Sequence, residues 1–259
     1  MIKILFLLLF PLFLFSKYQV VTYFPLESNI VKKIAHNEIK IREITNRFIP
    51  VYRELPYSEV SRLSNAKIYF HFGLDVEKAY GKVLKERNPE LVEIDLSEGI
   101  GKIPNNPYFW TDPFILRDVG KKIFETLVIY DKSQTEFYRK NYEKFLEEID
   151  ETFLKIKRKF EISDIYAIYV FDDYWEYFAN RFRIKTFKRE KEHLNITDIN
   201  KLVEFKDKEN ITRILFFDEK DHNVVFSLAN NLNTKAVEDN IFNDNWQINL
   251  LELANNLNK

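Results

Sequence analysis

The side chains able to do chemistry in this 259-residue chain are few and widely spaced. It contains no Cys, which excludes disulfides, thiolate zinc sites and cysteine nucleophiles. No HExxH spacing pairs any two of its four histidines, which are His36, His71, His193 and His222. Asp172 and Asp173 are adjacent carboxylates, but neighbours on a strand point to opposite faces and no Ser or His partner can be placed beside them. We therefore expect a binding protein rather than an enzyme.

Composition and charge exclude further classes of protein. Lys and Arg total 39 against 40 Asp and Glu, so the net charge is −1, without the basic excess typical of nucleic-acid-binding proteins. Hydrophobic residues make up 46% of the chain, which is a globular rather than a disordered composition. None of the five glycines lies in a P-loop or a GxGxxG motif, which argues against a nucleotide-binding fold. We expect no nucleic-acid partner.

Residues 1–16 have the pattern of a secretory signal peptide. Lys3 precedes an apolar run from Ile4 to Phe15, and the small residue Ser16 closes that run. The run is shorter than the roughly 20 residues that span a bilayer, and an uncleaved N-terminal anchor is the alternative interpretation. We expect cleavage of this leader and a mature protein that is periplasmic or secreted.

Beyond the leader, strand patterns alternate with helix patterns in two series, at 17–130 and at 161–259. Such alternation predicts an α/β protein with mostly parallel sheets. Between the two series, residues 131–160 contain no Gly or Pro, and apolar residues recur every three or four positions. A helix of that length would be roughly 40 Å long. We therefore expect two α/β lobes joined by one long connecting helix, with a cleft at the carboxyl ends of the strands. The basic run Lys185–Lys191 is interpreted as solvated surface.

Five segments of the chain carry a family resemblance. They are Val20–Leu26, Tyr57–Glu77, Ile94–Ile100, Asn106–Pro113 and Phe171–Arg181. The fourth, Asn-Pro-Tyr-Phe-Trp-Thr-Asp-Pro, looks like the motif NPHIWLDP, and the fifth is similar to FHDAYGYFAKRYGL. In this order the segments resemble the TroA-like solute-binding proteins. That resemblance implies a secreted, bilobal monomer that delivers zinc, manganese or iron to the membrane permease of an ABC importer.

The resemblance also implies a place for the metal site, with most of the family's histidines replaced. The four ligand positions fall near Val51 and on Tyr108, Asp172 and Asp239. Val51 cannot bind a metal, whereas the other three offer oxygen donors that suit Fe(III), Mn(II) or Ca(II) better than Zn(II). The implied site is therefore Tyr108, Asp172 and Asp239, around a divalent or trivalent metal ion.

Two alternatives stay open at this stage. In the first, a metal ion or a metal chelate is held by other residues, with His71, Glu54, Asp173 and Asp218 as the candidates. In the second, the binding fold persists without a metal site, and the protein acts by protein interaction or binds an organic ligand. Val51 at the first ligand position favours the second alternative.

Overall fold

The computed structural model describes residues 17–190 and 196–259, and the side chains of 17–190 and 198–259. The leader predicted at 1–16 and the residue His193 lie outside the described residues. Within the described ranges, no helix is both long enough and apolar enough to cross a membrane.

Each lobe is built on a four-stranded parallel sheet, and the two sheets share one strand order. The first has the order β2-β1-β3-β4, and the second has the order β6-β5-β7-β8. The strands are β1 (Gln19–Thr22), β2 (Lys40–Glu43), β3 (Ile68–His71), β4 (Val92–Asp95), β5 (Ala167–Val170), β6 (Lys185–Lys188), β7 (Ile211–Phe216) and β8 (Lys235–Glu238). The central strands β3 and β5 are buried at every position, as parallel strands covered by helices should be. In each sheet the strand order reverses beside its first strand, and ligands bind at such a switch point.

Helices follow the strands in both lobes. They are α1 (Pro25–Ala35), α2 (Tyr57–Leu63) and α3 (Asp75–Arg87) in the first lobe, and α6 (Glu176–Phe182), α7 (Ile196–Glu209) and α8 (His222–Leu232) in the second. Pro25 occupies the first turn of α1, where its missing N–H costs no hydrogen bond. The closing helix α9 (Trp246–Asn258) packs against both α1 and the long helix α5 (Thr135–Glu161), so it touches the first lobe.

The predicted connecting helix is present as α5 (Thr135–Glu161), with α4 (Ile115–Tyr130) before it. Its 27 residues give a length of roughly 40 Å. The buried stripe of α5, from Tyr138 to Ile156, packs on α1, α4 and α9. Two lobes with parallel sheets and a long connecting helix are therefore confirmed.

The basic run Lys185–Lys191, interpreted as solvated surface, contains a strand that the sequence analysis did not recognise, and Lys191 lies outside the described residues. Its first four residues, Lys185–Lys188, form the edge strand β6 beside β5. Phe187 packs edge-on against Phe205 of α7, with ring centroids 4.8 Å apart. Lysines on an edge strand discourage pairing with other chains. In β6 they leave Phe187 as the only apolar residue, so the sequence lacks the pattern typical of a strand.

The contact between α4 and α5 gives a test of the fold. A Cβ on Gly120 of α4 would lie 2.8 Å from the Phe145 ring of α5. Because that buried ring cannot move away freely, we expect Gly120→Val to lower the free energy of unfolding by about 1–3 kcal/mol. Gly101→Val is the matched control, since a Cβ there meets nothing within 4 Å, and it should change stability by less than about 0.5 kcal/mol. Equal urea midpoints for both variants would contradict this packing.

Candidate functional site

Aromatic side chains from both lobes meet where the carboxyl ends of the two sheets face each other. We call this set the interlobe aromatic cluster: Phe48, Tyr108, Trp110, Tyr174, Phe217 and Phe242. Phe48 of the first lobe stacks on Phe242 of the second, with centroids 4.1 Å apart and planes 3° from parallel. Tyr108 meets Tyr174 edge-on at 4.7 Å. Apolar contact between rings therefore joins the lobes at this point.

The segment Asn106–Asp112 is fastened to the second lobe at both of its ends. The side-chain amide of Asn106 donates to the Asp173 carbonyl at 2.8 Å and to Glu176 Oε2 at 3.0 Å. The guanidinium of Arg181 donates to both oxygens of Asp112, at 2.8 and 2.7 Å. A bidentate pair of this kind fixes orientation as well as distance. Tyr108 lies inside this segment, so its ring position is set by contacts to the second lobe.

Tyr108 and Tyr174 form a pair of phenols. Their rings meet edge-on across the cleft. Burial raises the pKa of both tyrosines, and the carboxylate of Asp172 raises each further. Both phenols therefore carry their protons at neutral pH in the free protein.

Asp172 is the second residue after β5 and has an extended backbone before the turn that leads into α6. Its Oδ2 is buried and has no hydrogen-bond partner. Burial raises the pKa of Asp172, and nearby Arg189 opposes that rise. A buried carboxylate oxygen without a partner is costly, and a bound cation would compensate for it.

The carboxylates near Asp172 in the sequence or charge environment already form three ion pairs with basic side chains. Lys188 lies 2.5 Å from Asp173, and Lys220 lies 3.0 Å from Asp218. Arg189 lies 2.8 Å from Asp221 and also covers the face of the Phe171 ring. Asp173 and Asp218, both candidates from the sequence, are therefore already paired with lysines.

Asp239 lies in a different environment. The Trp175 indole N–H donates to its Oδ2 at 2.6 Å. The carboxyl group faces a small cavity of about 10 Å³, room for one water molecule, lined by Trp110, Thr111, Ile241, Trp246, Asn249, Leu250 and Leu253. Burial raises the pKa of Asp239 to about 7, against a partial lowering by the Trp175 hydrogen bond.

The remaining sequence candidates lie away from this group. His71 is buried in the first lobe, where its Nδ1 accepts from the Gly73 N–H at 3.0 Å and its Nε2 lies 3.3 Å from Glu93 Oε1. Glu54 is exposed, and so is Val51, at 59%. Across residues 17–190 and 196–259, no group of three or more His, Asp or Glu side chains is arranged to hold a metal ion.

The structure thus brings Tyr108 and Tyr174 into contact, and the charge of Asp172 raises the pKa of both tyrosines. Tyr174 was not among the ligand candidates from the sequence. The available signal was its position two residues after Asp172, at the carboxyl end of a central strand. No sequence pattern linked it to Tyr108, which lies 66 positions earlier.

Comparison with known proteins decides the family. The family described as "ZnuA: Zinc-uptake complex component A periplasmic" matches residues 20–249. The chain belongs to the ZnuA family. No curated protein is detected as a relative of this ZnuA-family chain.

Solved structures agree with this membership. A crystal structure of ZnuA is 19% identical, with a TM-score of 0.80, and the match covers 94% of this chain and 98% of that one. The periplasmic zinc-binding protein TroA from Treponema pallidum is 16% identical, with a TM-score of 0.74 and coverage of 93% and 98%. The manganese-bound periplasmic metal-binding protein from Candidatus Liberibacter asiaticus is 16% identical, with a TM-score of 0.76 and coverage of 93% and 100%. These likenesses show the ZnuA-like fold.

Membership has two consequences for the expectations from the sequence. The resemblance to TroA-like solute-binding proteins is confirmed. The family supplies binding components of transporters, so the expectation of a binding protein rather than an enzyme is also confirmed.

The buried carboxyl group of Asp239 predicts a pH effect on stability. Its pKa is about 7 when folded and close to 4 when unfolded, so the folded state holds the extra proton between these values. The protonated carboxyl group therefore contributes to the free energy of unfolding at pH 4. This contribution, on the order of 4 kcal/mol, is lost as the pH rises to about 7. Asp239→Asn should remove most of this loss in urea unfolding at pH 5 and pH 8. Asp244→Asn, at an exposed position, is the control, and equal pH profiles for both variants would contradict the burial of Asp239.

Proposed function

We propose that this protein is the solute-binding component of an ABC importer and that its cargo is a metal ion or a metal-containing ligand. Membership in the ZnuA family supports this role, and so does the bilobal architecture, in which both sheets direct the carboxyl ends of their strands at one interface. The lobes are bridged by the continuous helix α5, which resists wide hinge opening. Cargo exchange therefore requires only a small opening of the cleft.

The buried Oδ2 of Asp172 is the single observation that carries the metal site in this proposal. It is an atom of a carboxylate group without a hydrogen-bond partner, and the charge of that group raises the pKa of Tyr108 and Tyr174. A metal cation bound there supplies the missing partner. In this arrangement Asp172 and Tyr108 are the first ligands. Asp239 stays a prediction, since Trp175 already engages its Oδ2 and only Oδ1 is left for a metal.

Location and partner follow from the same role. The protein acts outside the cytoplasmic membrane, which it reaches through the leader at 1–16, and it delivers its cargo to the importer's permease. The family is described as periplasmic, which supports this location. We propose that it acts as a monomer, because both halves of the site come from one chain.

A second function is favoured by the interlobe aromatic cluster. Phe48 and Phe242 stack across the gap between the lobes, and no three His, Asp or Glu side chains of the described residues are arranged around a metal position. These features favour a binding fold that has lost its metal site and takes an organic ligand or a protein partner. The first function accounts for the unpaired Asp172 oxygen, which the second leaves unexplained.

Metal binding by Asp172→Asn separates the two functions. We expect wild type to bind one of Zn(II), Mn(II), Fe(II) or Fe(III), and the variant to bind that ion at least about tenfold more weakly, because the amide removes the anionic ligand. Isothermal titration calorimetry and metal analysis of protein purified without chelator provide the measurement.

Asp173→Asn is the matched control, because it removes the adjacent carboxylate, which is paired with Lys188. This variant should keep its affinity within about threefold of wild type. A wild-type protein that binds none of the four ions would refute the metal cargo and favour the second function. Equal losses in both variants would refute the assignment to Asp172.

A further inference from the structure

We propose that the stack of Phe48 on Phe242 is a latch, which holds the two lobes closed and limits the rate at which cargo enters and leaves. The latch joins the loop between β2 and α2 to the loop between β8 and α9. This inference rests on the proposed function, and it concerns the exchange of the cargo rather than its identity.

The clamp that fastens the segment before α4 to the second lobe extends back to Ile103. The hydroxyl of Tyr177 in α6 accepts a hydrogen bond from the Ile103 N–H at 2.7 Å and donates one to the Asn106 carbonyl at 3.0 Å. Together with the contacts of Asn106 and Asp112 described above, these bonds attach residues 103–112 to the second lobe. These residues therefore move with the second lobe when the lobes part.

We call the boundary between 17–102 and the assembly of 103–112 with 161–259 the interlobe seam. Among the residues that the structure describes, no hydrogen bond or ion pair crosses this seam. Apolar contacts hold it, through the packing of α9 on α1 and through the ring stacks of Phe48 on Phe242 and of Phe72 on Trp110. Because ring contacts need no directional polar bond, the lobes can part at the rings without leaving a buried donor or acceptor unpaired.

Phe48 is held by the first lobe. It lies in the loop 44–56, which Tyr80 of α3 fixes at Arg53. The Tyr80 hydroxyl donates to the Arg53 carbonyl at 2.9 Å and accepts from the Arg53 N–H at 3.1 Å. The Phe48 ring also meets Phe24 edge-on, with centroids 5.6 Å apart. These contacts all lie within the first lobe, so Phe48 moves with that lobe.

Phe242 is held by the second lobe. Its backbone N–H donates to Asn240 Oδ1 at 2.9 Å, and its buried ring meets Phe217 at 5.2 Å and Tyr174 at 5.4 Å. The two rings of the latch are thus carried by different lobes. Their stack, with centroids 4.1 Å apart, therefore exists only when the lobes are closed.

The closed interface leaves little room for cargo to pass. The cavity beside Trp110 and Asp239 measures about 10 Å³, which is the space of one water molecule. Phe242 also meets the ring of Tyr108, a proposed ligand, edge-on at 5.8 Å. Parting of the latch therefore opens the seam beside the proposed ligand, and the continuous helix α5 keeps that opening small.

The first test measures the distance between the lobes in the metal-free, full-length protein. The chain contains no Cys, so spin labels attach only to introduced cysteines. Tyr57→Cys in the first lobe and Val224→Cys in the second place the labels at exposed positions. In double electron–electron resonance we expect one narrow distance distribution for the labelled wild-type background. Phe48→Ala should raise the ratio of open to closed molecules about tenfold and add a longer distance, because the ring contact across the seam is lost.

Phe187→Ala is the matched control, because it removes a half-buried ring whose contact with Phe205 lies within the second lobe. It should keep the wild-type distribution. Phe242→Ala should add the same longer distance as Phe48→Ala, and the double variant should add no more, since all three lose one contact. Phe48→Leu, which keeps an apolar side chain without a ring, should shift in the same direction by less. Circular dichroism checks that each variant folds, and wild-type distributions in the folded Phe48 variants would overturn the latch.

The rate of metal release separates this inference from the function on which it rests. For the ion that wild type binds among Zn(II), Mn(II), Fe(II) and Fe(III), we expect EDTA to strip Phe48→Ala about tenfold faster than wild type, with Phe187→Ala unchanged. Metal binding with equal release rates in Phe48→Ala and wild type would overturn the latch and leave the proposed function intact. A protein that takes up none of these ions would overturn the proposed metal cargo, and the distance measurement would still decide whether Phe48 holds the lobes closed.

Discussion

The geometry of the cleft depends on the ion pair between Asp112 and Arg181. Asp112 is almost fully buried, and its two carboxylate oxygens accept hydrogen bonds from two nitrogens of the Arg181 guanidinium. The same guanidinium also lies over the face of the Phe114 ring. A buried carboxylate left without this partner would be strongly destabilising. The pair therefore fixes the segment that carries Tyr108 against the second lobe, and the edge-on contact of Tyr108 with Tyr174 follows from it. The candidate site therefore lies between the lobes, because the segment Asn106–Asp112 is held by residues of the second lobe.

Most of the fold could be predicted from the sequence because its signals are local. Alternating strand and helix patterns gave the two lobes, and the three-and-four spacing from Phe137 to Ile156 gave α5. The strand β6 was not predicted, because its sequence Lys-Thr-Phe-Lys has the pattern of a charged surface. It is an edge strand that pairs only with β5. Edge strands carry little apolar sequence, so propensity alone underestimates them.

The candidate site could be predicted only in part, because its contacts join distant residues. Tyr108 and Asp172 follow from the family resemblance, and their role as ligands stays a prediction. The stack of Phe48 on Phe242 and the hydrogen bond from Trp175 to Asp239 span 194 and 64 positions, and no local pattern marks either. His71 was a ligand candidate from the sequence because it ends a strand, but the structure places it in the first lobe, buried beside Glu93. Side-chain direction at the end of a strand depends on packing, which the sequence does not display.

X-ray absorption spectroscopy at the edge of the bound metal tests the central claim most directly. A site built from tyrosine and aspartate predicts a first shell of oxygen atoms alone, without the multiple-scattering pattern that imidazole rings produce. His71 is enclosed in the first lobe, so it is not expected among the ligands. An imidazole pattern in the metal-loaded protein would contradict the account, because it would require ligands outside the cluster around Asp172 and the tyrosine pair.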